Sequence, residues 1–343
     1  MVLTLRQKTI LNLIVSEYIS GAVPVASQSL SQNHSLGVSP ATIRNDIMAL
    51  ERESFLGRPY SSAGTIPLDK AYRLYVESMP LVQMHRVPND VKIRIRSRLV
   101  EVEQDMDEWS SVAATLLANL VGNMGIATFP RAYESRVRHL QIVSIQDNQV
   151  LLIVVLEQGR VKQQFVRLKE PLLPDAVQMM ANKLNDVSRG KSSDEMCLNH
   201  LHLSSIEECL LKTTIAILEQ EDIARRPEYY LLGLSNILRQ PEFTSSDSVG
   251  EIVGAIEDGS LAQAVLNEAP EGTMVRVVIG HENREDRLRP LSLVLSQYGI
   301  PGEASGVVGA VGPMRMQYDR TIAGVQLMVE LMSDLVESVQ GTN

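Results

Sequence analysis

Residues 39–52 read Ser39-Pro40-Ala41-Thr42-Ile43-Arg44-Asn45-Asp46-Ile47-Met48-Ala49-Leu50-Glu51-Arg52. Serine is a preferred helix N-cap, and proline fits the first helical position, where its missing N–H costs nothing. The pair Ser39-Pro40 therefore opens a helix, predicted to run to about Glu53. Ile43, Ile47 and Leu50 fall on one face of it, while Ala41, Arg44, Asn45, Met48 and Arg52 point the other way.

Upstream, Thr4-Leu5-Arg6-Gln7 has the form of a capping box. Ile10, Leu11, Ile14, Val15 and Tyr18 then recur at helical spacing, and Gly21 is expected to end the helix. Val23-Pro24 is a bend. Ala26 to Asn33 is a short second helix carrying Leu30, and Leu36-Gly37 is a turn. Downstream, Phe55-Leu56-Gly57 and Thr65-Ile66-Pro67 are short extended pieces flanking the polar loop Arg58-Pro59-Tyr60-Ser61-Ser62-Ala63-Gly64. A further helix, Asp69 to Met79, carries Tyr72 and Tyr75. Three short helices followed by a hairpin with a basic, Ser/Gly-rich tip follow the plan of a winged helix-turn-helix. In that fold the leading end of the third helix enters the major groove. Its free N–H groups and positive dipole favour phosphates. Arginine and asparagine are the residue types that read guanine and adenine edges. The candidate DNA-contacting residues are Ser39, Thr42, Arg44 and Asn45 on the helix and Ser61, Ser62 and Gly64 at the wing. Any small three-helix domain can produce this pattern, so a winged helix that docks protein stays open as the alternative.

A chain of 343 residues with 44% hydrophobic and 21% charged residues has ordinary globular composition. It is long enough for about two domains of ~150 residues each. The longest apolar runs, such as Val150 to Leu156, fall short of the ~18 residues of a membrane span. No secretory apolar region opens the sequence. Two cysteines fit a reducing, cytoplasmic setting better than a disulfide framework. The net charge of −9 is unevenly placed. Residues 1–80 hold seven basic and six acidic residues, a balance of +1, and the remainder carries −10. Only the N-terminal segment is suited to a polyanion, although fluctuation between domains could give the same imbalance.

Residues 81–110 are expected to form a linker helix with a basic run at Arg86, Lys92, Arg94, Arg96 and Arg98. Arg138 to Ile145, Gln149 to Leu156 and Arg160 to Leu168 read as a meander of strands. A helix follows over Pro174 to Val187. Thr273 to Ile279 and Ala304 to Val311 read as strands, Ser292 to Tyr298 as a helix, and Arg320 to Val339 as a terminal helix. Sheet pieces split by a helical segment suggest one α+β domain with an insertion.

Motifs that could carry enzyme or metal chemistry are weak. Cys197, His200, His202 and Cys209 are zinc-type ligands, but their spacing is not a usual ligand pattern. Cys209 follows Ser205-x-x-Glu208, another capping-box form, and a thiol there is ordinary. His281-Glu282-Asn283-Arg284-Glu285 lacks the second histidine of a metalloprotease helix. Gly302, Gly306, Gly309 and Gly312 are not a dinucleotide fingerprint, and neither a Walker lysine nor a nucleophile elbow occurs. No metal, no cofactor and no enzymatic activity are expected.

The N-terminal phrases Pro24-Val25 with Ser27, Ser39 to Asn45, Ser62-Ala63-Gly64, and Pro67 with Asp69 to Arg73 resemble the HrcA family, bacterial heat-inducible transcription repressors. The resemblance resumes at Gly233 to Leu238 with Pro241-Glu242-Phe243, at Ile279 to Asn283, and at Val311 to Tyr318. Where the family usually has histidine and arginine in the wing, this chain has Tyr60 and Thr65, which removes one wing cation. The resemblance implies an α+β multidomain protein. A winged helix (1–80) and a linker helix (81–110) would precede a GAF-like domain (111–189 and 231–343), itself interrupted by an inserted, mainly helical dimerisation domain (190–230). It implies a repressor of chaperone operons that binds double-stranded inverted-repeat operator DNA as a homodimer, helped to its active fold by a GroEL-type chaperonin. A GAF-like fold also leaves open an effector-binding sensor or scaffold.

Overall fold

In the computed structural model the described residues are all but 1–2, 35, 61–62, 80–86, 103–105, 133–134, 147, 158, 169–173, 198–202, 225–228, 244–245, 271, 301–303 and 341–343. The chain divides into two compact units, one formed by 1–131 and 228–343 and the other by 132–227.

The first unit begins with α1 (Leu5–Gly21), α2 (Ser27–Asn33) and α3 (Pro40–Arg52). The strands β1 (Leu56–Gly57) and β2 (Ile66–Pro67) pair antiparallel, and α4 (Asp69–Glu77) follows. Both bonds of the Thr4/Gln7 capping box are made, at 3.2 and 3.0 Å. Ser39 caps α3 by accepting from the Thr42 N–H at 3.2 Å. Gly21 is the last helical residue, and Ala22 takes the left-handed conformation beyond it, at φ 52°. Ile10, Leu11, Ile14, Leu30, Ile43, Ile47 and Leu50 are buried together. This is the apolar stripe that the helical spacing forecast.

Beyond this head come α5 (Asn89–Glu101), α6 (Met106–Val121) and β3 (Met124–Thr128). After the second unit the chain returns as β8 (Tyr229–Leu232), α10 (Leu234–Leu238), α11 (Ser246–Glu257), α12 (Ser260–Asn267) and β9 (Arg276–Ile279). The long strands β10 (Leu291–Ile300) and β11 (Ala304–Pro313) and the helix α13 (Tyr318–Gln340) close it. The sheet runs β8-β3-β11-β10-β9, with the short β4 (Arg131–Ala132) beside β11. β3 pairs antiparallel with β8 and β11, and β10 with β11 and β9.

The helix expected over Ser292 to Tyr298 is strand β10. Its two faces join different apolar clusters. Val294 and Tyr298 pack with α13, and Leu291, Leu293 and Leu295 pack with residues of α11 and α12. A strand covered on both faces loses the polar alternation that marks a half-exposed one. Its serines are satisfied internally, Ser292 by the Tyr318 hydroxyl at 2.9 Å and Ser296 by the Thr273 carbonyl at 2.9 Å.

The second unit contains β5 (Val137–Gln146), β6 (Gln149–Leu156) and β7 (Val161–Arg167), an antiparallel meander, with α7 (Pro174–Ser188), α8 (Ser193–Cys197) and α9 (Ser205–Ala224). Leu140, Leu152, Val154, Leu184, Leu210 and Leu218 form its core. The three strands were expected to belong to the interrupted domain, with the insertion starting at 190. Among the described residues they form a three-stranded sheet of their own, and the compact unit that holds them starts at 132, ahead of the expected 190. The cap of α9 is Ser204, which exchanges bonds with Glu207 at 2.7 and 3.3 Å, rather than the Ser205/Glu208 pair one residue on.

Candidate nucleic-acid interface

The polar side of α3 is open. Ser39, Arg44 and Asn45 are exposed, and Thr42 is half-buried. The hydroxyls of Ser39 and Thr42 lie 3.0 Å apart at the leading end. Proline at position 40 leaves no donor there, so the orphan N–H groups of the first turn belong to the residues after it. Arg44 forms no ion pair among the described residues.

Asp46 would oppose binding to a polyanion if it shared that side. It is instead turned inward, only 6% exposed, and accepts from Arg6 Nε at 2.7 Å and Nη2 at 3.4 Å. This pair ties the start of α1 to the second turn of α3. The hydrogen bond and charge of Asp46 hold the Arg6 guanidinium above its ordinary pKa. Glu51, further along α3, is taken by Arg58 at 2.6 Å, which also fastens the base of the hairpin to the helix. The acids nearest the leading end are thereby paired while Arg44 stays available.

At the hairpin, Ser61 and Ser62 lie outside the described residues. Gly64 is half-buried, and a Cβ there would sit 2.7 Å from the Pro24 carbonyl and from Val25 O. Its neighbour Thr65 is buried. Val25 and Thr65 exchange backbone bonds at 2.9 Å, and the Thr65 hydroxyl donates to Val25 O at 3.1 Å. Gly64 thus fixes the path of the hairpin by close backbone approach. Thr65, standing where the family usually has arginine, serves as a third rung against Val25. Tyr60 is exposed.

The linker arginines lie on α5. Arg94 pairs with Asp90 and Arg98 with Glu101 on the same helix, and Lys92 reaches Glu330 of α13 at 2.7 Å. Arg86 lies outside the described residues. Cys197 and Cys209 are exposed free thiols, and His200 and His202 lie outside the described residues. A cavity of about 560 Å³ lies between β7 and α9, lined in part by Arg167, Cys209 and Lys212. It belongs to the second unit. No helix among the described residues is long and apolar enough to cross a membrane.

A family profile described as the HrcA protein C-terminal domain matches residues 107–322. The heat-inducible transcription repressor HrcA of Dehalococcoides mccartyi is 37% identical over 339 residues, covering 99% of this chain and 97% of that one. The chain belongs to the HrcA family. The heat-inducible transcription repressor HrcA of Herpetosiphon aurantiacus is 33% identical, covering 98% of this chain and 96% of its own length. A crystal structure described as a hypothetical protein superposes with a TM-score of 0.59 at 23% identity. It covers 98% of this chain and 99% of that one, a likeness of fold.

The phrases that mark the HrcA resemblance meet in space. Asp69 and Arg73 of α4 face the turn Gly280–Glu282, where Arg73 forks onto Glu282 and the His281 N–H donates to Asp69 at 2.7 Å. Arg315 Nη1 donates to the Ile19 carbonyl at 2.7 Å, and its Nε to Glu242 at 2.6 Å. The rings of Tyr72 and Tyr318 meet at a tilt of 49°, with their centres 6.1 Å apart. In the body, Asn236 donates to the Ala118 and Asn123 carbonyls at 3.2 and 3.1 Å. Sequence reading missed these seam residues as a group, and also Arg6 with Asp46. Asp69 and Arg73 stand four apart beside Tyr72, a one-face spacing that was visible, but their partners lie some two hundred residues away.

Proposed function

We propose that this chain is a heat-inducible transcription repressor that grips operator DNA with the leading end of α3. On this reading the head is a winged helix-turn-helix. The body is a GAF-like domain, and the unit at 132–227 is the inserted dimerisation domain. Ser39 and Thr42 contact phosphate, and Arg44 and Asn45 contact base edges. The β1–β2 tip, with Ser61 and Ser62, follows the backbone, its course set by Gly64. The observation that carries the reading is the arrangement on α3: Arg44 and Asn45 exposed, with Asp46 turned back onto Arg6. The same inward turn of Asp46 favours a polyanion over the protein-docking alternative.

One such head reads few base pairs, and a twofold protein doubles them on an inverted repeat. We therefore propose a homodimer on double-stranded operator DNA ahead of chaperone genes. Repression is released by heat, and a GroEL-type chaperonin assists folding, as the family resemblance implies. The members of this family are transcription repressors, and no catalytic step is assigned to the chain.

Selection of duplexes from a random pool by the full chain tests this. The enriched duplex and a scrambled version are then titrated at several salt concentrations. An inverted repeat that binds far more tightly than its scramble, with affinity falling steeply as salt rises, is expected. Equal affinity for both, or a flat salt dependence, would overturn the proposal.

A further inference from the structure

We infer that the polar seam between α4 and the sheet body is a positioning device, which orients the reading helix and so sets the half-site spacing the repressor accepts. This deepens the DNA-binding reading above and rests on it.

The seam has three attachment points. Asp69, Tyr72 and Arg73 occupy one face of α4, spaced three and four apart. Arg73 meets both carboxylate oxygens of Glu282 and also donates to the Val277 carbonyl at 2.7 Å. Asp69 Oδ2 accepts from the His281 N–H at 2.7 Å and faces its ring Nδ1 at 2.5 Å. The third point lies on a different head helix, where Arg315 holds the Ile19 carbonyl at the end of α1. Two helices fastened at separated points leave the head no free axis of rotation.

The bonds chosen are directional. An arginine fork on a carboxylate fixes angle as well as distance, which a lysine cannot do. Close approach is built in, because Gly280 sits at φ +53° and a Cβ there would come within 2.3 Å of Asp69 Oδ2. The seam side chains are also partly exposed, 30% for Arg73 and 38% for Glu282. Ion pairs in that setting add little net stability, so their directionality is the larger contribution. Orientation passes on to α3 through α1, which packs on both α3 and α4 and is tied to α3 by Arg6–Asp46. None of the residues proposed to touch DNA takes part in the seam, so it can be altered with the contact face intact.

Half-site spacing reports orientation. Each added base pair rotates one half-site by about 35° relative to the other. The test uses the full chain as wild type, Arg73→Glu, Arg73→Lys, and the exchange Arg73→Glu with Glu282→Arg. Each is titrated on a single half-site duplex and on the selected inverted repeat with its centre lengthened or shortened one base pair at a time. Wild type should prefer one spacing by tenfold or more. Arg73→Glu should keep half-site affinity within about twofold yet lose that preference. Arg73→Lys should lose part of it, and the exchange should restore it. A wild-type spacing profile in Arg73→Glu and Arg73→Lys overturns the inference. Loss of half-site and full-site affinity in equal measure also overturns it, since that marks a merely structural role. Failure of wild type to prefer the selected repeat over its scramble overturns the DNA-binding reading first, and is seen before any variant is made.

Discussion

Gly64→Ala separates a glycine that shapes the hairpin from one that only touches DNA. The added Cβ would stand 2.7 Å from the carbonyl carbon and oxygen of Pro24 and from Val25 O. All three are backbone atoms, so no side chain can swing aside. Relief requires parting the β2 side of the hairpin from the Val25 segment. That segment is joined by two backbone bonds of 2.9 Å and by the Thr65 hydroxyl at 3.1 Å. Overpacking costs about 1–3 kcal/mol, and each of these three hydrogen bonds, if lost, costs roughly 1 kcal/mol net. Gly64 is not in the left-handed region, so alanine returns about 0.4–1 kcal/mol by restricting the unfolded chain. On those principles the balance is a destabilisation of up to about 3 kcal/mol if the bonds hold and about 3–6 kcal/mol if all three are lost. Thermal unfolding of the full chain, with hydrogen exchange at the Val25 and Thr65 amides, measures it. Unchanged melting and unchanged exchange, accompanied by weaker DNA binding, would refute the packing argument and return Gly64 to the contact surface.

Further outcomes follow from the same geometry. Ser39→Ala removes the α3 cap and should cost about 1 kcal/mol in denaturant unfolding. Ser39→Asp should keep that stability while weakening DNA binding, because it sets a carboxylate where a phosphate is proposed to sit. In the second unit, burial pushes the Glu207 carboxyl up, but Lys183 at 2.7 Å and the Ser204 N–H outweigh it, and its pKa ends below the ordinary 4.5. A group with a depressed folded pKa stabilises above its unfolded value and loses that contribution as pH falls through the folded one. Protection factors for hydrogen exchange in this unit, taken relative to the intrinsic exchange rate at each pH, should therefore fall as pH drops below about 4.5, and Glu207→Gln should flatten that dependence.

Much of the head was legible because its signals are local. Thr4 with Gln7 and Ser39 with Pro40 state where α1 and α3 begin, and the four- and three-residue spacing of Ile43, Ile47 and Leu50 states which face turns inward. The exposed residues Arg44 and Asn45 followed from the same periodicity. What escaped was non-local or ambiguous in period. Strand β10 read as a helix because both its faces are buried and its serines find partners inside the protein. The strands β5 to β7 were recognisable as a meander of short stretches, but no local signal says which sheet a strand will join. The α9 cap slipped by one because Ser204 and Ser205 are each followed three residues later by a glutamate. The seam was invisible for a different reason, since Arg73 and Glu282 are 209 residues apart and each alone reads as a surface charge.

The central claim is that the leading end of α3 reads bases. The measurement that bears on it most directly is a scan of single base-pair substitutions across the selected duplex, titrated with wild type and Arg44→Ala at one fixed salt concentration. A guanine read by Arg44 should show as a loss of about 1–3 kcal/mol in the variant. Discrimination should vanish at one base pair in each half-site and stay unchanged elsewhere. A uniform loss at every position, or a wild-type scan in the variant, would contradict it.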